Sequence, residues 1–239
     1  MSKEQIVNLG SFYVNGFRIG IVSNTTASVG VGLCRDSTNV FDIVMASPVT
    51  INMSVNGING LDTGTFAANT CYSIFVISDS SGFNSPAALA SLSLTAPVLP
   101  GGYDIFRRVG FVAGDGSTHL LPFSQTGSGS EKFYLFQDPV YILVNGTQTS
   151  FTSVGTTVVV PSISGIRVLL QVNFTPVAAS DTAKIRAGSS LATNGQTITG
   201  QEGGVVISST INTISKLAIE YKVSAGAVDI GVIGVVDSL

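Results

Sequence analysis

Alternating apolar and polar residues recur in short runs along this chain. The clearest run covers residues 166–174, where every second side chain is a large apolar one. Because successive side chains of a β-strand point to opposite faces, a period of two predicts a strand with one buried face. We expect two sets of side chains on opposite faces: Val168, Leu170 and Val172 inward, Arg167 and Gln171 outward.

Other runs are rich in β-branched and aromatic residues, which favour strands. These runs cover residues 29–34, 49–55, 71–77, 107–112, 217–223 and 228–235. Within residues 12–22, the pair Asn15-Gly16 predicts a two-residue hairpin turn. Residues 85–90 carry the one helical signal, a serine before a proline, and a helix, a loop and a strand all stay open there.

The pattern predicts an all-β fold with two β-rich domains. Residues 126–130 read TGSGS, which is small, polar and typical of a linker. We therefore predict an N-terminal β domain over residues 1–125, with a polar arm at residues 1–12, and a second domain over residues 126–239. The number and spacing of strands in the second domain predict a jelly-roll-like antiparallel sandwich.

The composition points to a chain whose surface is covered by other copies. Charged residues make up 10% of the sequence, against about 25% in an ordinary soluble domain, while 44% of the residues are hydrophobic. A stable sandwich with an Asn, Ser and Thr surface would also explain this, but we favour a homo-oligomer. The net charge of −3, without a basic run, argues against a nucleic-acid partner because phosphate binding needs clustered positive charge.

Neither a signal peptide nor a membrane span is expected. The first residues, MSKEQ, lack an apolar segment. No apolar run approaches the roughly 18–20 residues that cross a bilayer. The sequence predicts a soluble product made in the cytoplasm.

Residues that commonly carry chemistry are scarce. His119, with Asp115 nearby in sequence, is the only histidine, and its position after a turn favours a structural role over a catalytic one. Cys34 and Cys71 fit neither a zinc site nor a disulfide framework; one bridge between them stays open, and buried free thiols are favoured.

The fourteen acidic residues are the only abundant acid–base material. Asp36, Asp42 and Asp62 fall in one predicted region, which raises a glycosidase or a calcium site as alternatives. Each lies beside a turn, where Asp caps backbone groups, so we predict no catalytic residue, no metal and no cofactor. In a strand, Arg107 and Arg108 would point to opposite faces, one at a subunit contact or paired with Asp104 and the other in solvent.

Four motifs follow one another between residues 60 and 112. They read GLDTG (60–64), YSIFVI (72–77), TAPVLPGGY (95–103) and RRVG (107–110). This order resembles a module that recurs in tailed-bacteriophage virion proteins, namely tail fibres, head fibres and capsid decoration proteins. RDSTNVFDI (35–43) and the segment over residues 219–239 are also similar to parts of such proteins.

The resemblance implies a non-enzymatic structural component of a virion. We expect a head decoration or head fibre subunit, or a tail-appendage subunit, that contacts capsid or tail proteins. The resemblance also implies a homotrimer. The alternatives are a tail fibre domain that recognises a host cell-surface glycan and, less favoured, a glycan hydrolase.

Overall fold

The computed structural model describes residues 13–127, 129–156, 159–163, 166–188, 196–200, 207–214 and 218–239. These residues form strands and loops without a helix, so the predicted all-β class is confirmed. The predicted arm over residues 1–12 lies outside the described residues. The strands are β1 Val14–Gly16, β2 Ile19–Ser23, β3 Thr26–Val29, β4 Gly32–Arg35, β5 Asp42–Met45, β6 Val49–Asn52, β7 Cys71–Ser78, β8 Ala87–Ser91, β9 Ile105–Ala113, β10 Phe123–Thr126, β11 Glu131–Gly146, β12 Thr152–Gly155, β13 Ile166–Thr175, β14 Thr182–Ala187, β15 Gln196–Thr199, β16 Ile207–Ile214, β17 Ala218–Val223 and β18 Ala227–Ser238.

The N-terminal part, residues 13–122, contains three small sheets with the orders β1-β4-β5, β2-β3-β6 and β8-β7-β9. The hairpin predicted at Asn15-Gly16 is wrong. Strand β1 pairs with β4, and β2 pairs with β3, across a turn at Asn24-Thr25. Gly16 and Phe17 instead have positive φ angles of 82° and 52° and carry the chain from one sheet to the next.

The run over residues 29–34 is not one strand either. It divides into the end of β3 and most of β4, with Gly30 and Val31 between them. The Phe17 amide donates to the Val31 carbonyl oxygen at this point. Both strands of the long antiparallel pair over residues 14–35 therefore pass from one sheet to the next at the same level. At residues 85–90, where the sequence allows a helix, a loop or a strand, the structure has strand β8 from Ala87 to Ser91.

The sheet β8-β7-β9 is buried on both faces. One face contributes Ile74, Val76 and Val112 to a core shared with β1–β6. The opposite face carries Phe75, Ile77 and Leu89, which pack against Leu99 and Tyr103 of the TAPVLPGGY segment. A sheet covered on both faces explains why strand 71–77 reads as a continuous apolar run rather than an alternating one.

The C-terminal sandwich, strands β10–β18, consists of two antiparallel sheets. One has the order β10-β11-β18-β13-β16 and the other the order β12-β17-β14-β15. Leu170, Val172 and Ile230 of the first sheet share a single core with Ile185 and Tyr221 of the second. The core between the two sheets confirms a β-sandwich.

Strand β13 has the predicted alternation. Val168, Leu170 and Val172 are buried, Arg167 is exposed and Gln171 is partly exposed. In strand β17, Ile219, Tyr221 and Val223 are buried as the same pattern predicts, and Leu217 lies outside the described residues.

Strand β10 spans the predicted boundary between residues 125 and 126, and it pairs with β11 across the TGSGS segment. This segment therefore connects two neighbouring strands of one sheet. The division into two domains stays a prediction. The N-terminal part and the C-terminal sandwich share buried contacts, which are described below.

Candidate functional site

His119 lies in the loop between β9 and β10, with a half-exposed side chain. The Asp115 carboxylate accepts hydrogen bonds from the backbone amides of Ser117 (2.7 Å) and His119 (2.8 Å). These bonds, the one from His119 foremost, lower the pKa of Asp115. The His119 Nδ1 atom is 3.7 Å from the second carboxylate oxygen, too far for a hydrogen bond. The pair closes a turn rather than forming an oriented catalytic base.

Asp36 caps the loop between β4 and β5. Its carboxylate accepts from the backbone amides of Thr38, Val40 and Phe41 at 2.8–3.0 Å, and from the Thr38 hydroxyl at 2.5 Å. Burial alone would raise the pKa of Asp36, but these hydrogen bonds outweigh it and lower the pKa. Asp36 therefore has the turn-capping role that its position predicts.

The other two predicted carboxylates are also engaged in structure. Asp42 pairs with Arg35 at 2.9 Å between neighbouring strands. Asp62, in the GLDTG turn, accepts from the Ser91 hydroxyl (2.6 Å) and the Val98 amide (3.0 Å). The Asp62 carboxylate ties the GLDTG turn to β8 and to the TAPVLPGGY segment, so two of the motifs that carry the resemblance meet at one side chain.

Metal ligands are not grouped in the described part of the chain. No set of three or more His, Cys, Asp or Glu side chains there is close enough to hold an ion. Cys34 and Cys71 are free thiols. Burial raises the pKa of Cys34 to about 12 and also raises that of Cys71, so neither thiol supplies a nucleophilic thiolate at neutral pH.

The expectation for the two arginines needs correction. Arg107 and Arg108 are both buried, with 8% and 9% of their surface exposed, so neither is solvated. Asp104 pairs with neither in the observed contacts and instead accepts from the amide and hydroxyl of Ser80. Local strand alternation suggested the wrong surroundings because these arginines lie where the C-terminal sandwich covers β9.

Arg108 makes a two-point ion pair with Asp237 of β18. The Nη1–Oδ1 and Nη2–Oδ2 distances are 3.0 and 2.7 Å, and Asp237 is fully buried. Planar guanidinium and carboxylate groups in this arrangement form two charge-assisted hydrogen bonds. The pair joins residues that are 129 positions apart in sequence.

Lys132 completes a buried charged cluster with Arg108 and Asp237. It lies opposite Asp237 in the pairing of β11 with β18 and is fully buried. Its Nζ atom donates to the carbonyl oxygens of Gly16 (3.0 Å) and Phe17 (2.7 Å), where β1 ends. Burial lowers the pKa of Lys132 to about 8, although the Asp237 charge opposes the shift.

Neutral contacts surround this cluster. The Gln125 side-chain oxygen accepts from the Ile19 amide at 2.7 Å, and the Phe111 and Tyr134 rings lie 4.4 Å apart between centroids. Each contact joins the N-terminal part to the C-terminal sandwich. These contacts fix the position of the N-terminal part on the C-terminal sandwich.

A cleft of about 300 Å³ opens beside the cluster, with Phe106, Arg107, Arg108, Ile163 and Ser238 among its lining residues. The guanidinium of Arg108 is bound to Asp237, so the cleft has no carboxylate and base poised as a reacting pair. A second cleft of about 350 Å³, lined in part by Thr25, Asn56, Phe66 and Thr118, has no ionisable side chain. Neither cleft provides the acid–base groups that hydrolysis of a glycan requires.

The sequence did contain a signal for Lys132 and Asp237. Both occupy the inward phase of their strands, Lys132 in line with Tyr134 and Phe136, and Asp237 in line with Val235. A charged residue at an inward position is expected to have a buried partner. The identity of the partner could not be read locally.

No family model matches the chain, and no curated protein matches it. Among the described residues, none forms a helix long and apolar enough to cross a membrane.

Proposed function

We propose that this chain is a non-enzymatic structural subunit of a tailed-bacteriophage virion that assembles as a homo-oligomer. The subunit would belong to a head decoration, a head fibre or a tail appendage. The GLDTG, TAPVLPGGY and RRVG motifs suggest this family of functions, and the strand order of the C-terminal sandwich carries the proposal. The resemblance further suggests three copies per assembly.

That strand order supports the jelly-roll prediction. Counting β11 as strand one and β18 as strand eight, the sheets have the orders 1-8-3-6 and 2-7-4-5, with β10 added beside β11. This is the connectivity that two Greek keys wound together produce, with each strand pairing antiparallel with its neighbours. Jelly rolls form viral capsid domains as well as lectin and cupin domains.

The candidate acid–base groups support a structural role over an enzymatic one. Asp36, Asp62 and Asp115 hold turns, Asp42 pairs with Arg35, and Asp237 is fully paired inside the molecule. General acid–base catalysis needs such a group free to reach a substrate. Asp237 instead stabilises the joint between the two parts of the chain, and the other four hold turns and strands within the N-terminal part.

The test of the proposal is to look for the chain on particles. Particles purified by density gradient from a culture that produces the chain should contain it, and gold-labelled antibodies against it should mark regular sites on the capsid or the tail. Purified particles without the chain would overturn the proposal.

A second assay separates the structural role from hydrolysis. Incubation of the purified chain with host surface polysaccharide should leave the glycan at its original size on a sizing column. Shortened glycan would contradict the non-enzymatic proposal, provided that boiled protein leaves it intact.

A further inference from the structure

The two outer faces of the C-terminal sandwich differ in chemistry. On the four-stranded sheet, Lys184 lies opposite Lys222, and Arg186 pairs with Glu220 at 2.5 Å. The Arg186 guanidinium also lies 3.8 Å from the centre of the Phe151 ring. This face is charged and partly exposed, as the solvent side of an antiparallel sheet should be.

The outer face of the five-stranded sheet has an apolar centre. Its positions follow from the strand register: Phe133 is opposite Val236, and Leu135 and Leu169 flank Gly234. All four of these side chains lie on the phase opposite to the buried core residues Tyr134, Val235 and Val168. An antiparallel strand facing water normally carries polar residues in this phase.

These outward side chains are exposed in the isolated chain. Leu135 is 45% exposed, and Tyr141, one row further along the same face, is 47% exposed. Phe133, Leu169 and Val236 are partly exposed. We call Phe133, Leu135, Tyr141, Leu169 and Val236 the outer apolar face.

Two glycines make the centre of the outer apolar face low and flat. Gly231 and Gly234 of β18 lie between β11 and β13. A side chain at Gly234 would contact the Phe133 ring, and one at Gly231 would contact Pro139 and Tyr141, at 3.1–3.5 Å. The Phe133 and Tyr141 rings therefore lie beside the two glycines. The surface between them is flat enough for another sheet or ring to pack closely.

Resting on the proposed function, we propose that the outer apolar face is the surface through which copies of this chain contact one another. The whole outer face of the sheet spans about 33 Å along β13 and about 24 Å across five strands, or roughly 800 Å², with the outer apolar face at its centre and polar residues around it. That matches the roughly 800 Å² that each partner buries in a standard interface.

The charges around this face are consistent with a second copy as the occupant. Among the described residues, the ion pair here is Arg167–Glu131 at 2.8 Å, which is exposed at the margin and neutral as a pair. Gln171 and Asn173, beside Tyr141, are uncharged: the Gln171 amide donates to the Asn173 side-chain oxygen, and the Asn173 amide donates to the Tyr141 hydroxyl. Asp229, opposite Asn173 at one end of the sheet, adds a carboxylate that accepts from the Asn145 amide. The five residues of the outer apolar face carry no charge themselves, so no charge opposes the packing of an identical apolar centre.

The experiment compares the mass of the wild-type chain with that of Leu135→Glu and Leu169→Glu by sedimentation equilibrium between 1 and 50 µM, roughly the range in which specific subunit contacts saturate. The wild type should be an oligomer, and each variant should associate at least about tenfold more weakly because a carboxylate would be buried in the contact. Val22→Glu is the matched control: it changes an apolar residue that is 62% exposed on β2 to the same acid and should keep the wild-type mass.

A measurement on the wild type removes the dependence on variants that fold poorly. Hydroxyl-radical labelling of Leu135 and Tyr141 should fall as concentration rises through the association range, while labelling of Val22 stays constant. Oligomers with unchanged labelling, or variants with unchanged mass, would overturn this face and leave the proposed function standing. A monomeric wild type that is nevertheless found on particles would overturn contact between copies and the homo-oligomeric part of the proposed function. Absence from particles of a chain that still oligomerises through this face would overturn the virion role alone.

Discussion

The amino group of Lys132 is buried, so the contribution of Lys132 to the free energy of unfolding depends on pH. Its pKa is about 8 in the folded chain and 10.5 in the unfolded chain. Between these values the unfolded chain keeps a proton that the folded chain has released, so the contribution of Lys132 to the free energy of unfolding rises with pH. That contribution is complete above pH 10.5 and is lost as the pH falls through 8.

The first prediction compares the wild type with Lys132→Met. Titration of thiols and tyrosines affects both proteins, so we expect the difference in free energy of unfolding, wild type minus variant, to increase between pH 8 and pH 10.5. Urea unfolding at several pH values measures it. A difference that stays constant over this range would show that Lys132 has an ordinary pKa.

The second prediction concerns the partner of Arg108. Asp237→Asn leaves a buried guanidinium without its counter-charge, which should lower the free energy of unfolding by about 3–5 kcal/mol. Asp42→Asn breaks the partly exposed pair with Arg35 and should cost no more than about 1 kcal/mol. Equal losses in urea unfolding would mean that water reaches Asp237.

At the scale of the strand, two neighbouring leucines provide a direct test of orientation. Leu170 is fully buried in the sandwich core, and Leu169 lies on the outer apolar face. Leu170→Ala should destabilise the chain by about 2–5 kcal/mol through lost transfer energy and a cavity. Leu169→Ala should cost at least about 1 kcal/mol less in urea unfolding, because its surroundings are open to water. The reverse order would place the strand one residue out of register.

The burial of one face of strand β13 was predictable because every second residue of the strand is a large apolar one. The hairpin at Asn15-Gly16 was not, because the alternative partner of β1 is β4, which lies beyond β2 and β3. Local turn propensity favours a hairpin, but the pairing over residues 14–34 places the turn at Asn24-Thr25 instead. Tertiary pairing overrides a two-residue signal in this case.

Local sequence patterns also could not predict the pairing within the charged cluster. Inward positions at Lys132 and Asp237 could be inferred from alternation, whereas the pairing of Asp237 with Arg108 depends on how the sandwich packs on β9. The two arginines were therefore recognised as notable but given the wrong surroundings. The turn role of Asp36 was predictable because its partners are close in sequence. For Asp62 only the contact with the Thr63 amide is local, whereas those with Ser91 and Val98 depend on tertiary packing.

For the whole molecule, the shared contacts predict one cooperative unit. The N-terminal part and the C-terminal sandwich are joined by Arg108–Asp237, by Lys132 with Gly16 and Phe17, and by Gln125 with Ile19. We expect differential scanning calorimetry to show one transition whose calorimetric and van't Hoff enthalpies agree. Two separated transitions would instead support two independently stable domains divided near residue 126.

Strand β18 has a consequence for the order of events on the ribosome. It follows every other strand in sequence, yet it lies between β11 and β13 and carries the partner of Arg108. Until residues 227–238 leave the exit tunnel, β11 and β13 have no common neighbour, and the guanidinium of Arg108 lacks its carboxylate. Such long sequence separations slow folding and leave strand edges open in the nascent chain. We therefore expect the C-terminal sandwich to close only after synthesis has passed β18.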